Sequence, residues 1–151
     1  MFTQQELNDY IRDLSEDGML PTYETAEYDM IVNIWTDHFD PSDVLKESGH
    51  YDKLKELIRK TTISGILYRG IDVFINDNVI DYSTELTNWY KDYKSALDET
   101  DPDNSIILKC EFDNMKGMKI INREDNQVII DEMKLKIIDK DCYVFNVEVI
   151  Q

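Results

Sequence analysis

At 151 residues the chain is long enough for one compact domain with a real core and too short for two. Its 42% apolar content excludes extended disorder. Acidic residues number 32 against 16 Lys and Arg, a formal net charge of -16, which argues against direct binding to nucleic acid or anionic lipid and leaves two uses for the charge, solubility or attraction of a basic protein, including one that normally holds nucleic acid.

The first sixty residues carry helical periodicity. Leu7, Ile11 and Leu14 space a short helix that "EDGMLP" ends, Gly18 and Pro21 being the stop signals. In "PTYETAEYDMIVNIWTDHF" the positions Tyr23, Ala26, Met30, Ile34 and His38 recur at three and four and predict an amphipathic helix. "PSDVLKESGHYDKLKELIRK" predicts further helix with Leu54, Leu57 and Ile58 on one face, after a break near Ser48 and Gly49. Residues 1–62 are thus the mainly helical part of a single domain and 63–151 the mainly strand part.

From residue 63 the runs turn short, β-branched and aromatic. "ISGILYRGI", "SIILKCEF", "GMKII", "NQVIID", "KLKIID" and "CYVFNVEVI" read as strands, with turn signals at "DNMKG", "NRED" and "DKD". Between the first two strands, Ser83 or Thr84 is expected to cap a helix carrying Leu86, Trp89, Tyr90, Tyr93 and Leu97, ended by "TDPDN". Trp35 and Trp89 are expected in the core. No repeat is visible, and the order of elements suits an α+β domain.

No stretch of 18 apolar residues occurs, and "MFTQQELNDY" has neither the basic nor the apolar region of a signal peptide, so a cytoplasmic location is expected. Cys110 and Cys142 lack CxxC spacing and sit in apolar, strand-like surroundings. They read as reduced core residues, with a disulfide between them left open. The only histidines are His38 and His50, and neither an HExxH pair, a calcium loop nor a glycine-rich phosphate loop is present, so no metal is expected.

One cation stands out. Arg69 follows "GILY" at the end of the first strand and precedes Gly70, a residue that permits close backbone approach. A guanidinium so placed can clamp phosphate or carboxylate oxygens in a two-pronged grip, or it can pair with one of the many local acids.

The order of helices, "LYRG", a Ser-Thr segment, and an acidic segment leading into "VII" and a final strand pair resembles the arginine-serine-glutamate type of mono-ADP-ribosyltransferase found among bacterial toxins and phage enzymes. The resemblance spans roughly residues 23–150. It implies N-terminal helices packed on a split, mainly antiparallel sheet, NAD as substrate, and a host protein as the target, in the host cytoplasm if phage-encoded. On that pattern Arg69 would hold the NAD phosphates, with Gly70 beside it. Ser83 and Thr84 match the first two residues of the family's Ser-Thr-Ser strand, while the third position is Glu85. The interval from Arg69 to Ser83 is short for the family. The two acids spaced before the apolar strand fall on Asp125 and Gln127, so glutamine stands where the catalytic glutamate is expected.

Loss of nicotinamide leaves positive charge on the ribose, which an anionic carboxylate stabilises and a carboxamide does not. Losing one such stabiliser costs on the order of a hundred- to a thousandfold in rate. The glutamine fits a degenerate member that binds a partner as a noncatalytic acidic inhibitor, a weak enzyme using Glu124 or Asp125, or an inactivating substitution. It also fits a residue that merely opens an exposed strand, in which case the likeness would be architectural and transfer no function.

Overall fold

The computed structural model describes residues 41–72, 78–100, 105–119 and 127–150, together with Gln5, Asp9, Ile31, Ile34 and Trp35. They divide into two compact units, Met1–Leu57 and Ile58–Gln151. In the first unit Gln5, Asp9, Ile31, Ile34 and Trp35 are helical, and Ile31 and Trp35 are buried. The other positions predicted to line the first two helices, His38 among them, lie outside the described residues.

Helix α1, Pro41–Ser48, opens on proline, whose missing N–H costs nothing in a first turn. It closes through bonds from Gly49 N–H to Lys46 O and His50 N–H to Leu45 O, at 3.3 and 2.9 Å. Helix α2, Tyr51–Ile58, follows at once, so the break falls where Ser48 and Gly49 predicted it. Its buried stripe is Tyr51, Leu54 and Ile58, with Leu57 only partly covered.

Seven strands make up most of the second unit: β1 Thr62–Ile71, β2 Val79–Tyr82, β3 Thr87–Tyr90, β4 Ile106–Lys119, β5 Gln127–Ile130, β6 Met133–Asp141 and β7 Val144–Ile150. Five form one mixed layer in the order β1-β4-β7-β6-β2, in which only β4–β7 is parallel. The end of β4 continues into a second, antiparallel set with β5 and β3. A single pairing, Tyr68 with Tyr90, joins β3 back to β1. The split, mainly antiparallel sheet is therefore present.

The main core gathers Leu67 and Ile71 of β1, Trp89 of β3, Phe112 of β4, Val128 and Ile130 of β5, and apolar residues of β6 and β7. Trp89 meets Phe112 edge to face at 5.1 Å and donates its indole N–H to Thr87 Oγ1 at 2.8 Å. Aromatic pairs of this geometry contribute beyond their buried area. A smaller cluster of Tyr90, Ala96 and Ile107 draws in Tyr68, Leu97 and Val144. Helix α3, Tyr93–Asp98, supplies Ala96 and Leu97.

Three expectations are corrected. Thr87–Tyr90 is a strand, not part of a helix capped by Ser83 or Thr84; the helix is only α3, capped by Asp92, whose carboxylate accepts from Ser95 N–H at 2.8 Å and Ser95 Oγ at 3.0 Å. Pairing on both edges, with β1 and β5, outweighs the helical spacing of Leu86, Trp89 and Tyr90. "DNMKG" does not end a strand: β4 runs through it, and Asn114 takes up the bend at φ 50°. Cys142 is not in the core but exposed in the β6–β7 hairpin turn at φ 53°, whereas Cys110 is buried; both are free thiols.

Candidate functional site

The neighbourhood of Arg69 is built by three adjacent strands. Arg69 lies near the end of β1, β3 borders it through the Tyr68–Tyr90 pair, and β5 borders β3 with Gln127 opposite Tyr90. Arg69 Nη1 donates to the Asn88 carbonyl on β3 at 3.0 Å, and its Nε reaches the Tyr82 hydroxyl at a long 3.4 Å. The guanidinium carbon also stands 5.3 Å from the centre of the Tyr82 ring. Tyr82 ends β2, so Arg69 links the two edge strands of the five-stranded layer. Among the described residues no carboxylate lies within ion-pairing distance of it, and the side chain is only half-buried.

A carbonyl and a tyrosine hold the guanidinium in one orientation, with no acid against it among the described residues. A planar fork with donors to spare suits phosphate oxygens. The residues present fit a dinucleotide's phosphates at this position.

Gly70 has a different explanation. A Cβ built there would fall 2.4 Å from Ala96 O and 2.2 Å from a Thr100 methyl. That face of β1 is closed by α3 and its following turn, so Gly70 is needed for helix packing against the strand.

Ser83 and Thr84 form the turn after β2 and are exposed. Ser83 N–H donates to Asp81 Oδ1 at 2.9 Å, and Glu85 N–H to Tyr82 O at 3.2 Å. The Asp81 carboxyl is held below its ordinary value, chiefly by the Ser83 side chain, then by the Ser83 backbone, with a smaller contribution from Lys134. This turn shapes the approach to Tyr82. The strand beside β1 begins later, at Thr87.

Gln127 opens β5 and is 4% exposed, with β3 on one side and β4 on the other. It does not open an exposed strand. Asp125 and Glu124 lie outside the described residues. Just past β5, Asp131 and Glu132 meet Arg59: Nε donates to Asp131 Oδ2 at 2.9 Å, Nη2 to Asp131 Oδ1 at 3.4 Å, and Glu132 Oε1 is 3.7 Å from Nη2. Asp131 N–H in turn donates to Lys116 O at 3.0 Å, so both ends of the turn leaving β5 are tied.

Sequence reasoning missed Asn88 and Tyr82 as the partners of Arg69. For Asn88 a signal existed: "TNWY" is a β-branched and aromatic run, and Asp92 with Ser95 three residues later marks a helix start beyond it. Nothing in the sequence pointed Tyr82 towards Arg69. Among the described residues no group of three or more His, Cys, Asp or Glu could hold a metal ion. None of their helices is long and apolar enough to cross a membrane.

No protein-family model and no curated protein matches the sequence. Solved structures do match the fold. The ADP-ribosyltransferase Vis of Vibrio splendidus, in complex with the M6 inhibitor, superposes with a TM-score of 0.54 at 14% identity, over 99% of this chain and 74% of Vis. The C3larvin toxin of Paenibacillus larvae, also an ADP-ribosyltransferase, gives a TM-score of 0.48 at 13% identity, over 100% of this chain and 96% of the toxin. The likeness to Vis shows that the chain has an ADP-ribosyltransferase-like α+β fold.

Proposed function

We propose that the protein is an NAD-binding relative of the mono-ADP-ribosyltransferase toxins, catalytically weakened by Gln127. The observation that carries this reading is the placement of Arg69 at the end of β1, oriented by Asn88 O and Tyr82 and without an acid partner among the described residues. The fold it shares with the ADP-ribosyltransferase Vis supports the same reading.

In this assignment Arg69 grips the phosphates, and the Asp125 to Gln127 loop, with glutamine at the family's catalytic-glutamate position, faces the ribose. The carboxamide can hydrogen-bond a ribose hydroxyl but cannot offset developing positive charge, which sets the rate on the order of a hundred- to a thousandfold below that of a carboxylate. Transfer of ADP-ribose to a host protein is the activity assigned to the intact site. Asp125 and Glu124 are the candidates for residual acid function.

Calorimetry with NAD tests the binding half. Roughly micromolar affinity, lost in Arg69→Ala, is expected; no heat at roughly millimolar NAD would sink the reading. Gln127→Glu tests the chemistry: labelled ADP-ribose transferred to proteins of a cell extract, or NAD hydrolysis, should rise at least a hundredfold.

A second reading is favoured by the net charge of -16 together with the neutral Gln127. The protein would then be a noncatalytic acidic inhibitor or binding protein that occupies a basic protein, one that holds nucleic acid included. Capture of such a partner should weaken steeply with salt while NAD gives no heat.

A further inference from the structure

Among the described residues the Arg69 guanidinium employs only part of its fork. Nη1 donates to Asn88 O at 3.0 Å and Nε to the Tyr82 hydroxyl at 3.4 Å, while Nη2 meets no acceptor there. The tyrosine is in a matching condition: its oxygen accepts from Nε, and its own proton meets no acceptor among the described residues. Nε and Nη2 share one edge of the planar guanidinium, so a charged donor and a neutral one lie side by side. Both side chains are half-buried and not sealed from solvent, so an incoming oxygen can reach them.

The local chain holds Tyr82 in this place. Asp81 Oδ1 accepts from Ser83 N–H at 2.9 Å and Tyr82 O from Glu85 N–H at 3.2 Å, so the backbone is tied on both sides of the tyrosine. β2 pairs with β6 through Tyr82 and Met133, and the tyrosine packs against the main core while its ring lies 5.3 Å from the guanidinium carbon. Alternation along the strand turns the Asp81 carboxylate to the opposite face, where it stands 4.0 Å from Lys134 Nζ. The acid next to Tyr82 in sequence therefore points away from an anion arriving at Arg69.

We propose that the Tyr82 hydroxyl is a second phosphate ligand beside Arg69, for a substrate that carries a diphosphate. A phosphate oxygen takes the Nε–Nη2 edge, and the hydroxyl, which accepts from Nε in the free protein, turns its proton to the same phosphate. A hydroxyl can reverse in this way because it is both donor and acceptor. A planar fork with a neutral donor beside it selects phosphate by geometry as well as by charge. The assignment rests on the reading of Arg69 as the phosphate grip, and it adds the edge strand β2 to the elements that build the site.

The test titrates the full chain with inorganic pyrophosphate and with NAD, at constant ionic strength set by chloride, and follows heat. Tyr82→Phe keeps the ring against the guanidinium and removes only the hydroxyl. Its urea midpoint should stay at the wild-type value while pyrophosphate affinity falls about tenfold or more, the worth of a hydrogen bond to a charged group. Tyrosine isotopically labelled at Cζ gives a second readout in the unaltered protein: the NMR resonance that Tyr82→Phe lacks should move as pyrophosphate saturates, which a tyrosine that only props the arginine would not show. Wild-type affinity in Tyr82→Phe, a Tyr82 resonance that stays in place at saturation, or no pyrophosphate binding through about 10 mM would overturn the proposal. Tyr82-dependent binding of pyrophosphate with no heat from NAD would remove the dinucleotide reading and support this assignment. Equal NAD affinity in wild type and Tyr82→Phe would overturn this assignment and leave that reading standing.

Discussion

Arg69 Nη1 bonds the main-chain oxygen of Asn88 at 3.0 Å, a contact between neighbouring strands in a chain with twice as many acids as bases. A carbonyl orients a guanidinium without neutralising it. Arg69→Ala should lower stability by only about 1–2 kcal/mol in urea denaturation, because the group is half exposed. Arg69→Lys keeps the charge but loses the planar fork and should recover less than about a tenth of the NAD affinity. Full recovery would show that charge alone suffices there.

Gly70 and Gly65, both on β1, should respond differently to alanine. At Gly70 the new methyl meets a main-chain oxygen of α3, which cannot rotate away, so Gly70→Ala should cost about 3 kcal/mol. At Gly65 nothing lies within 4 Å of a Cβ, but φ is 117°, so the cost is conformational and about 1–2 kcal/mol. Chemical denaturation of both variants checks the order; equal values would contradict the packing of α3 on β1.

The fork from Arg59 to Asp131 should be measurable but modest. Asp131 is well covered while the Arg59 side chain is 50% exposed, so solvent weakens the pair. A double-mutant cycle with Arg59→Met and Asp131→Asn should give a coupling of about 1 kcal/mol, shrinking in about 0.5 M salt. A coupling near zero at low salt would remove the fork as an anchor of the turn leaving β5.

Burial, with Glu148 and Glu111 nearby, pushes the Cys110 thiol up to about 12 from an ordinary 9.0. The folded state therefore favours the neutral thiol. This contribution is fully present below pH 9 and is lost as the pH rises towards 12, because the unfolded chain ionises first. The stability gap between the wild type and Cys110→Ala should narrow between about pH 9 and pH 12. Native protein should take one iodoacetamide, on exposed Cys142, and a second only after unfolding.

Much of this architecture is legible in the residues. The strands around Leu67, Val128 and Val147 show as β-branched runs because burial selects such side chains. β3 was obscured because it is covered on both faces, Trp89 entering the main core and Tyr90 the smaller cluster. Two-sided burial erases alternation, and the start of α3 then extends the run into an apparent helical spacing. β2 is four residues of partly exposed edge, too short to register. Arg69 could be singled out from its place behind "GILY", but its partners come from strands that the local pattern did not connect.

The pairing of Tyr90 with Gln127 has a kinetic side. These residues lie nearly forty positions apart, the Arg59–Asp131 fork joins groups 72 apart, and even Arg69 and its Asn88 carbonyl are 19 apart. Each contact closes a long loop before it is repaid, a topology that slows folding from microseconds towards milliseconds and beyond. The Tyr90–Gln127 pairing is consequently a late product of folding, and a nascent chain released before β5 would lack it altogether.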